Sequence, residues 1–94
     1  MIKVWAKTYV NKKIVLNEII YLEGRFNESL FDRYVQEICH TLDIPCPLIV
    51  SSNVKSFSNF NITRWKADDF VEHVPFDELT IENCVVPEVG GRFS

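Results

Sequence analysis

Long apolar runs are missing from this sequence. No stretch approaches the roughly 18 consecutive apolar residues of a membrane-crossing helix. The first residues, Met1-Ile2-Lys3-Val4-Trp5-Ala6-Lys7, alternate apolar and charged side chains from the start. They leave no room for the apolar region of a signal peptide, so none is expected. Glycine is scarce: Gly24, Gly90 and Gly91 are the whole complement and spell no phosphate-cradling loop. No Ser-based nucleophile motif occurs either. Cysteine is limited to Cys39, Cys46 and Cys84, an odd number with no Cys-x-x-Cys pair. That excludes a disulfide framework or a zinc ribbon by spacing, and it leads to the expectation of a cytoplasmic protein. An excess of positive charge is also absent. The net charge is −3 and the pI about 5.3, which argues against nonspecific nucleic-acid binding.

What is present is enough apolar material for one core. Of 94 residues, 47% are hydrophobic and 13% aromatic, which sets the chain apart from disordered sequences. One α+β domain over residues 1–86 is expected, with 87–94 as a flexible tail. The charges are unevenly placed. Residues 1–13 hold Lys3, Lys7, Lys12 and Lys13 and no acid, whereas 67–88 hold seven acids and no Lys or Arg. Oppositely charged ends either balance each other within the fold or meet in a second copy.

Residues 2–10 alternate strictly, which predicts a half-buried strand. Asn11-Lys12 marks a turn, and 13–22 reads as a second strand with apolar residues on both faces. A two-residue turn with unbroken pairing puts Val4 opposite Ile19 and places Ile14, Leu16 and Ile20 on the face of Trp5 and Tyr9. A shift by one residue exchanges the faces. Both registers are open at this point.

The strongest pattern runs from Asn27 to Asp43. Leu30, Phe31, Tyr34, Val35, Ile38, Cys39 and Leu42 form one stripe at helical spacing. Asn27 is suited to the N-cap, Phe26 is placed to staple onto Phe31, and Pro45 stops the helix near Asp43. Beyond it, Leu48-Ile49-Val50 predicts a short buried strand. Residues 51–61 read as a short helix capped by Ser52, or as a loop, and 62–66 as a strand. Asp68 is expected to cap a single turn over Asp69 to Glu72, and 79–86 to form the last strand. The fold class expected is a single-layer, mostly antiparallel sheet: an N-terminal hairpin, one main amphipathic helix on one face, then further short strands and a short helix.

No catalytic residue is singled out. Cys39 and His40 are adjacent on a helix and so point about 100° apart, one into the stripe and one to solvent. Cys39, Cys46, His73 and Cys84 have the right ligand chemistry for zinc but no recognised spacing, so neither metal nor cofactor is expected. Asp68, Asp69, Glu72 and His73 form an acidic cluster. Its sharper reading is a small metal-dependent or acid-base enzyme; its plainer one is a capped, solvated turn. Lys3, Trp5, Lys7 and Tyr9 interleave cations with aromatics on one strand face, as sheets that stack nucleic-acid bases do. With Arg64 and Trp65 they are also residue types favoured at protein interfaces. The expectation is a noncatalytic interaction or accessory domain with a protein partner, including a homodimer. Nucleic-acid binding through Lys3, Trp5, Lys7 and Tyr9 is the alternative, and no membrane partner is expected.

Overall fold

The computed structural model describes residues 1–84. Four strands and two helices follow in the order β1 (Ile2–Val10), β2 (Lys13–Leu22), α1 (Phe31–Leu42), α2 (Ser51–Phe60), β3 (Ile62–Lys66) and β4 (Glu78–Asn83). The strands make one antiparallel sheet in the order β2-β1-β4-β3, so the first and last strands lie side by side at its centre. Both helices pack on the same face, which gives the expected α+β architecture built on an N-terminal hairpin. The strand expected at residues 85–86 and the tail at 87–94 lie outside the described residues. No described helix is long and apolar enough to cross a membrane.

The hairpin turns in two residues. Asn11 and Lys12 both have positive φ, 52° and 67°, the backbone that matches the twist of the flanking strands. Val10 therefore pairs with Lys13. The register then shifts: Tyr9 pairs with Ile14, but Thr8 pairs with Leu16, leaving Val15 as the extra residue of a bulge. Beyond the bulge Val4 faces Ile20, not Ile19. The two alternatives read from sequence are thus each realised, one on either side of Val15. Ile14 shares the face of Tyr9, while Leu16, Ile20 and Leu22 turn to the core.

The helical stripe is buried as its spacing predicts. Phe31, Tyr34, Val35, Ile38, Cys39 and Leu42 all lie in the core, and Leu30 packs at its edge. Each large side chain so buried stabilises the fold by roughly 1.5–3 kcal/mol. The start is tighter than expected. A 3-10 turn, Glu28–Leu30, precedes the α-helix, and Asn27 Oδ1 accepts the Ser29 N–H at 3.0 Å. Phe26 rests on Tyr34 and Phe57, with ring centroids 5.8 and 5.6 Å apart, rather than on Phe31. The Tyr34 hydroxyl explains this arrangement: it accepts the Asn27 N–H at 2.9 Å and donates to Arg25 O at 3.3 Å, anchoring the entry segment over its own ring. The helix ends at Asp43, in the left-handed region at φ 60°.

Three local expectations are corrected. Leu48-Ile49-Val50 is an extended connection without strand pairing, and Leu48 is 60% exposed. Residues 51–60 are helical, but the cap comes from within: Asn53 Oδ1 accepts the Val50 N–H at 3.0 Å, and Ser52 has no part in it. The turn after β3 covers Ala67–Asp69 rather than 69–72. Asp69, not Asp68, closes it by accepting the Lys66 N–H at 2.9 Å.

Candidate functional site: an uncovered sheet face

The core takes one face of the sheet and leaves the other bare. Cross-strand pairing sets the bare face: Lys3, Trp5, Lys7 and Tyr9 from β1, opposite Tyr21, Ile19, Asn17 and Ile14 from β2. On the other side of β1 stand Glu82, Thr80 and Glu78 of β4, and beyond them Ile62, Arg64 and Lys66 of β3. No described element lies over these residues. Five of the six interaction residues read from sequence therefore share one surface. The sixth does not. Trp65 is one position out of phase with Arg64, points to the helices and is 1% exposed, stacked on Phe31 at 6.4 Å. A strand's period of two decides this, and Trp65 belongs to the core.

Apolar exposure concentrates on β2. Tyr21 is 57% exposed, and Ile14 and Ile19 are both open to solvent. Ile14 stands on the face that a two-residue turn gives it, whereas Ile19 and Tyr21 reach this face only because of the bulge at Val15, which sequence reasoning missed. Val15 is exposed too, so the outer strand shows apolar side chains along most of its length.

Charge on this face runs in stripes. β1 contributes Lys3 and Lys7, β4 contributes Glu78 and Glu82, and β3 contributes Arg64 and Lys66. Four cations against two carboxylates make the face net positive in a chain of net charge −3. Two ion pairs tie the stripes together. Lys7 Nζ stands 3.5 Å from Glu82 Oε1, and Arg64 Nε stands 4.0 Å from Glu78 Oε2. Lys7 also lies 3.8 Å over the Trp5 ring centroid, within cation–π range. Lys7 is only 8% exposed on a face that no other element covers, so its neighbours' side chains enclose it. At the hairpin end the face dips into a groove of about 610 Å3 lined by Tyr9, Lys12, Ile62, Arg64, Lys66 and Asp77 among others. Asp77 steadies its rim: its Oδ2 accepts the Asn11 N–H at 2.7 Å, and its own N–H donates to Tyr9 O at 2.7 Å.

The acidic cluster assembles nothing comparable. Asp68, Asp69, Glu72 and His73 are all exposed, and Asp69 is engaged with the Lys66 N–H. Among the described residues no three His, Cys, Asp or Glu side chains gather as a metal site would require. Of the four residues with zinc-ligand chemistry, Cys39 is buried and Cys46 is exposed. Cys84 sits at the end of β4, its Sγ 3.9 Å from Glu82 O. Cys39 is buried and its neighbour His40 exposed, on different sides of α1.

The chain matches no family model, and neither a curated protein nor a solved structure gives a significant match to it.

Proposed function

We propose that this chain is a noncatalytic, cytoplasmic interaction domain whose bare sheet face packs against a second copy of itself. The observation that carries the reading is the face itself: aromatic and aliphatic side chains exposed beside striped charge, on the side the helices leave open. The stripes are self-complementary. A two-fold axis parallel to the strands, running between β1 and β4, lays β1 of one copy on β4 of the other. Levels along the strands are kept, so each Lys7 comes to stand over the partner copy's Thr80, between Glu78 and Glu82. The same operation sets the apolar strand β2 over β3. Sheets packed face to face in this aligned way bury side chains from both inner surfaces. Complementary charge then fixes orientation more than it adds affinity.

Sedimentation equilibrium over a wide concentration range tests the proposal. The expected result is a reversible monomer–dimer equilibrium that the double variant Ile19→Lys, Tyr21→Lys shifts to monomer with an unchanged far-ultraviolet spectrum. A wild-type chain that stays monomeric at the highest concentration contradicts it.

Single-stranded nucleic acid is the second reading, favoured by Lys12, Arg64 and Lys66 around a groove next to Tyr9. Two features weigh against it. Glu78 and Glu82 divide the cations, and Lys7 lies over the Trp5 ring that a base would need. Trp5 emission that changes on adding an oligonucleotide at low salt, and recovers as salt is raised, would favour this reading over self-association.

A further inference from the structure

We infer that the groove at the hairpin end of the bare face is a binding site for a nucleoside monophosphate, with the base on Tyr9, the ribose over Glu78 and the phosphate between Arg64 and Lys66. The strand register sets this order. Tyr9 of β1 and Lys66 of β3 both pair with Glu78 of β4, so the three residues form one row across the sheet. Strands spaced roughly 4.8 Å apart make that row about 10 Å long from the aromatic residue to the cation. One row further from the hairpin, Thr80 separates Lys7 from Arg64. Thr80 is short and 3% exposed, and longer side chains line the groove around it. That difference in length hollows the sheet face into a space of about 610 Å3, within the size range of small-ligand sites.

The charge left open in the groove is positive. Four cations and two carboxylates line it, but several of these are already engaged. Lys7 is held by Glu82 and the Trp5 ring. Asp77 Oδ2 accepts the Asn11 N–H, and Glu78 Oε2 accepts the Thr80 hydroxyl at 3.1 Å. Among the described residues Lys12 and Lys66 have no ion pair, and Arg64 meets Glu78 through Nε alone, at 4.0 Å. The outer nitrogens of Arg64 thus present the planar fork that matches two oxygens of a phosphate, and Lys66 adds a point charge beside it. Tyr9 is half-buried and offers a ring face to a base. Glu78 would repel a phosphate placed at the middle of the row. Its second oxygen is instead an acceptor for a ribose hydroxyl, which is the part of a nucleotide that lies between base and phosphate. A bare anion would leave both Tyr9 and Glu78 unused. Every wall of the groove comes from one chain, so binding needs no second copy, and a nucleotide seated over Glu78 and Thr80 would compete with one.

The test is a set of NMR titrations of the full chain at one low, fixed protein concentration and low salt. The probes are adenosine monophosphate, adenosine, ribose phosphate, inorganic phosphate and a short oligothymidylate. Adenosine monophosphate should saturate, moving the amides of Tyr9, Arg64, Lys66 and Thr80 while α1 stays in place. It should bind at least about tenfold more tightly than adenosine, ribose phosphate or inorganic phosphate, since each of these lacks one of the three contacts. Arg64→Gln and Lys66→Gln, both at exposed positions, should each weaken it by about tenfold, the loss of one charge-assisted contact. No saturation by adenosine monophosphate, equal binding of inorganic phosphate, or undiminished binding by Arg64→Gln overturns the inference. So does an oligothymidylate that binds far more tightly than the mononucleotide, which would assign the groove to single-stranded nucleic acid. These outcomes are read at a single protein concentration, so they decide the site whether or not the wild-type chain self-associates on concentration.

Discussion

The Trp65 indole N–H donates to Asn53 Oδ1 at 3.0 Å in the interior, and that one amide holds α2 to β3. Asn53 uses every bond it has. Its oxygen also accepts the Val50 N–H at 3.0 Å, and its nitrogen donates to Thr63 Oγ1 at 3.0 Å and to Arg64 O at 3.4 Å. A buried polar hub of this kind is stabilising only while all its members are paired. Asn53→Ala should cost about 2–3 kcal/mol, because it leaves the indole N–H without its partner in the core. Urea unfolding followed by tryptophan fluorescence measures this. A loss below about 1 kcal/mol would mean that the hub is not tightly formed.

At Lys12 the hairpin holds a non-glycine residue at φ 67°, next to Asn11 at 52°. Asn-Gly is the favoured pair for this turn, and a side chain in the left-handed region costs about 1 kcal/mol. Lys12→Gly should therefore raise stability by about 0.5–1 kcal/mol with no change in the sheet. Thermal unfolding measures the gain, and a loss of stability would contradict the turn geometry.

Lys7 is held between the Trp5 ring and Glu82 on an otherwise bare face. Its ion pair is partly solvated, with Glu82 40% exposed, so the pair is worth less than a buried one. Glu82→Gln should cost about 0.5 kcal/mol, an effect that shrinks as salt is raised. Lys7→Met should keep the packing but alter Trp5 emission by removing the cation over its ring. Emission spectra of the variant and of a Trp65→Phe background, in which Trp5 is the sole indole, make the check.

Cys39 gives a pH dependence with a definite sign. Its thiol is pushed from an ordinary 9.0 up to about 12 by burial first and by Cys46 second. A folded value raised above the unfolded one means that this stability is fully present below about pH 9. It is lost as pH rises from there towards 12, because the unfolded chain gives up the proton first. Cys39→Ala should flatten that alkaline fall while lowering stability at neutral pH through the small void it leaves. Denaturant midpoints measured from pH 7 to 10.5 show either the flattening or its absence.

How much of this was legible in the sequence depended on repetition. Helix α1 was, because seven apolar residues agree on one stripe, and so was the alternation of β1. The pairing of β1 with β2 was not. One bulged residue, Val15, reverses the faces of everything after it, and nothing in a chain of β-branched residues marks which one bulges. Trp65 reads as an interface residue by type alone, because a five-residue strand has too few alternations to show which phase is buried. Leu48-Ile49-Val50 misled because three apolar residues between Pro47 and a helix carry no period at all. Asn53 carries no signal of its own: asparagine among serines reads as surface, and three of its four bonds reach residues ten to twelve positions away. For the candidate site, β1 supplied the signal, and the exposed residues of β2 came only with the register.

The central claim is that the bare face is where a second copy packs, and an NMR dilution series tests it most directly. Backbone amide shifts are recorded from high to low protein concentration. The account predicts concentration-dependent shifts at Trp5, Tyr9, Ile19, Tyr21 and Arg64, with α1 unmoved. Shifts absent throughout, or confined to other exposed apolar positions such as Leu48, Phe60 and Val71, would contradict it.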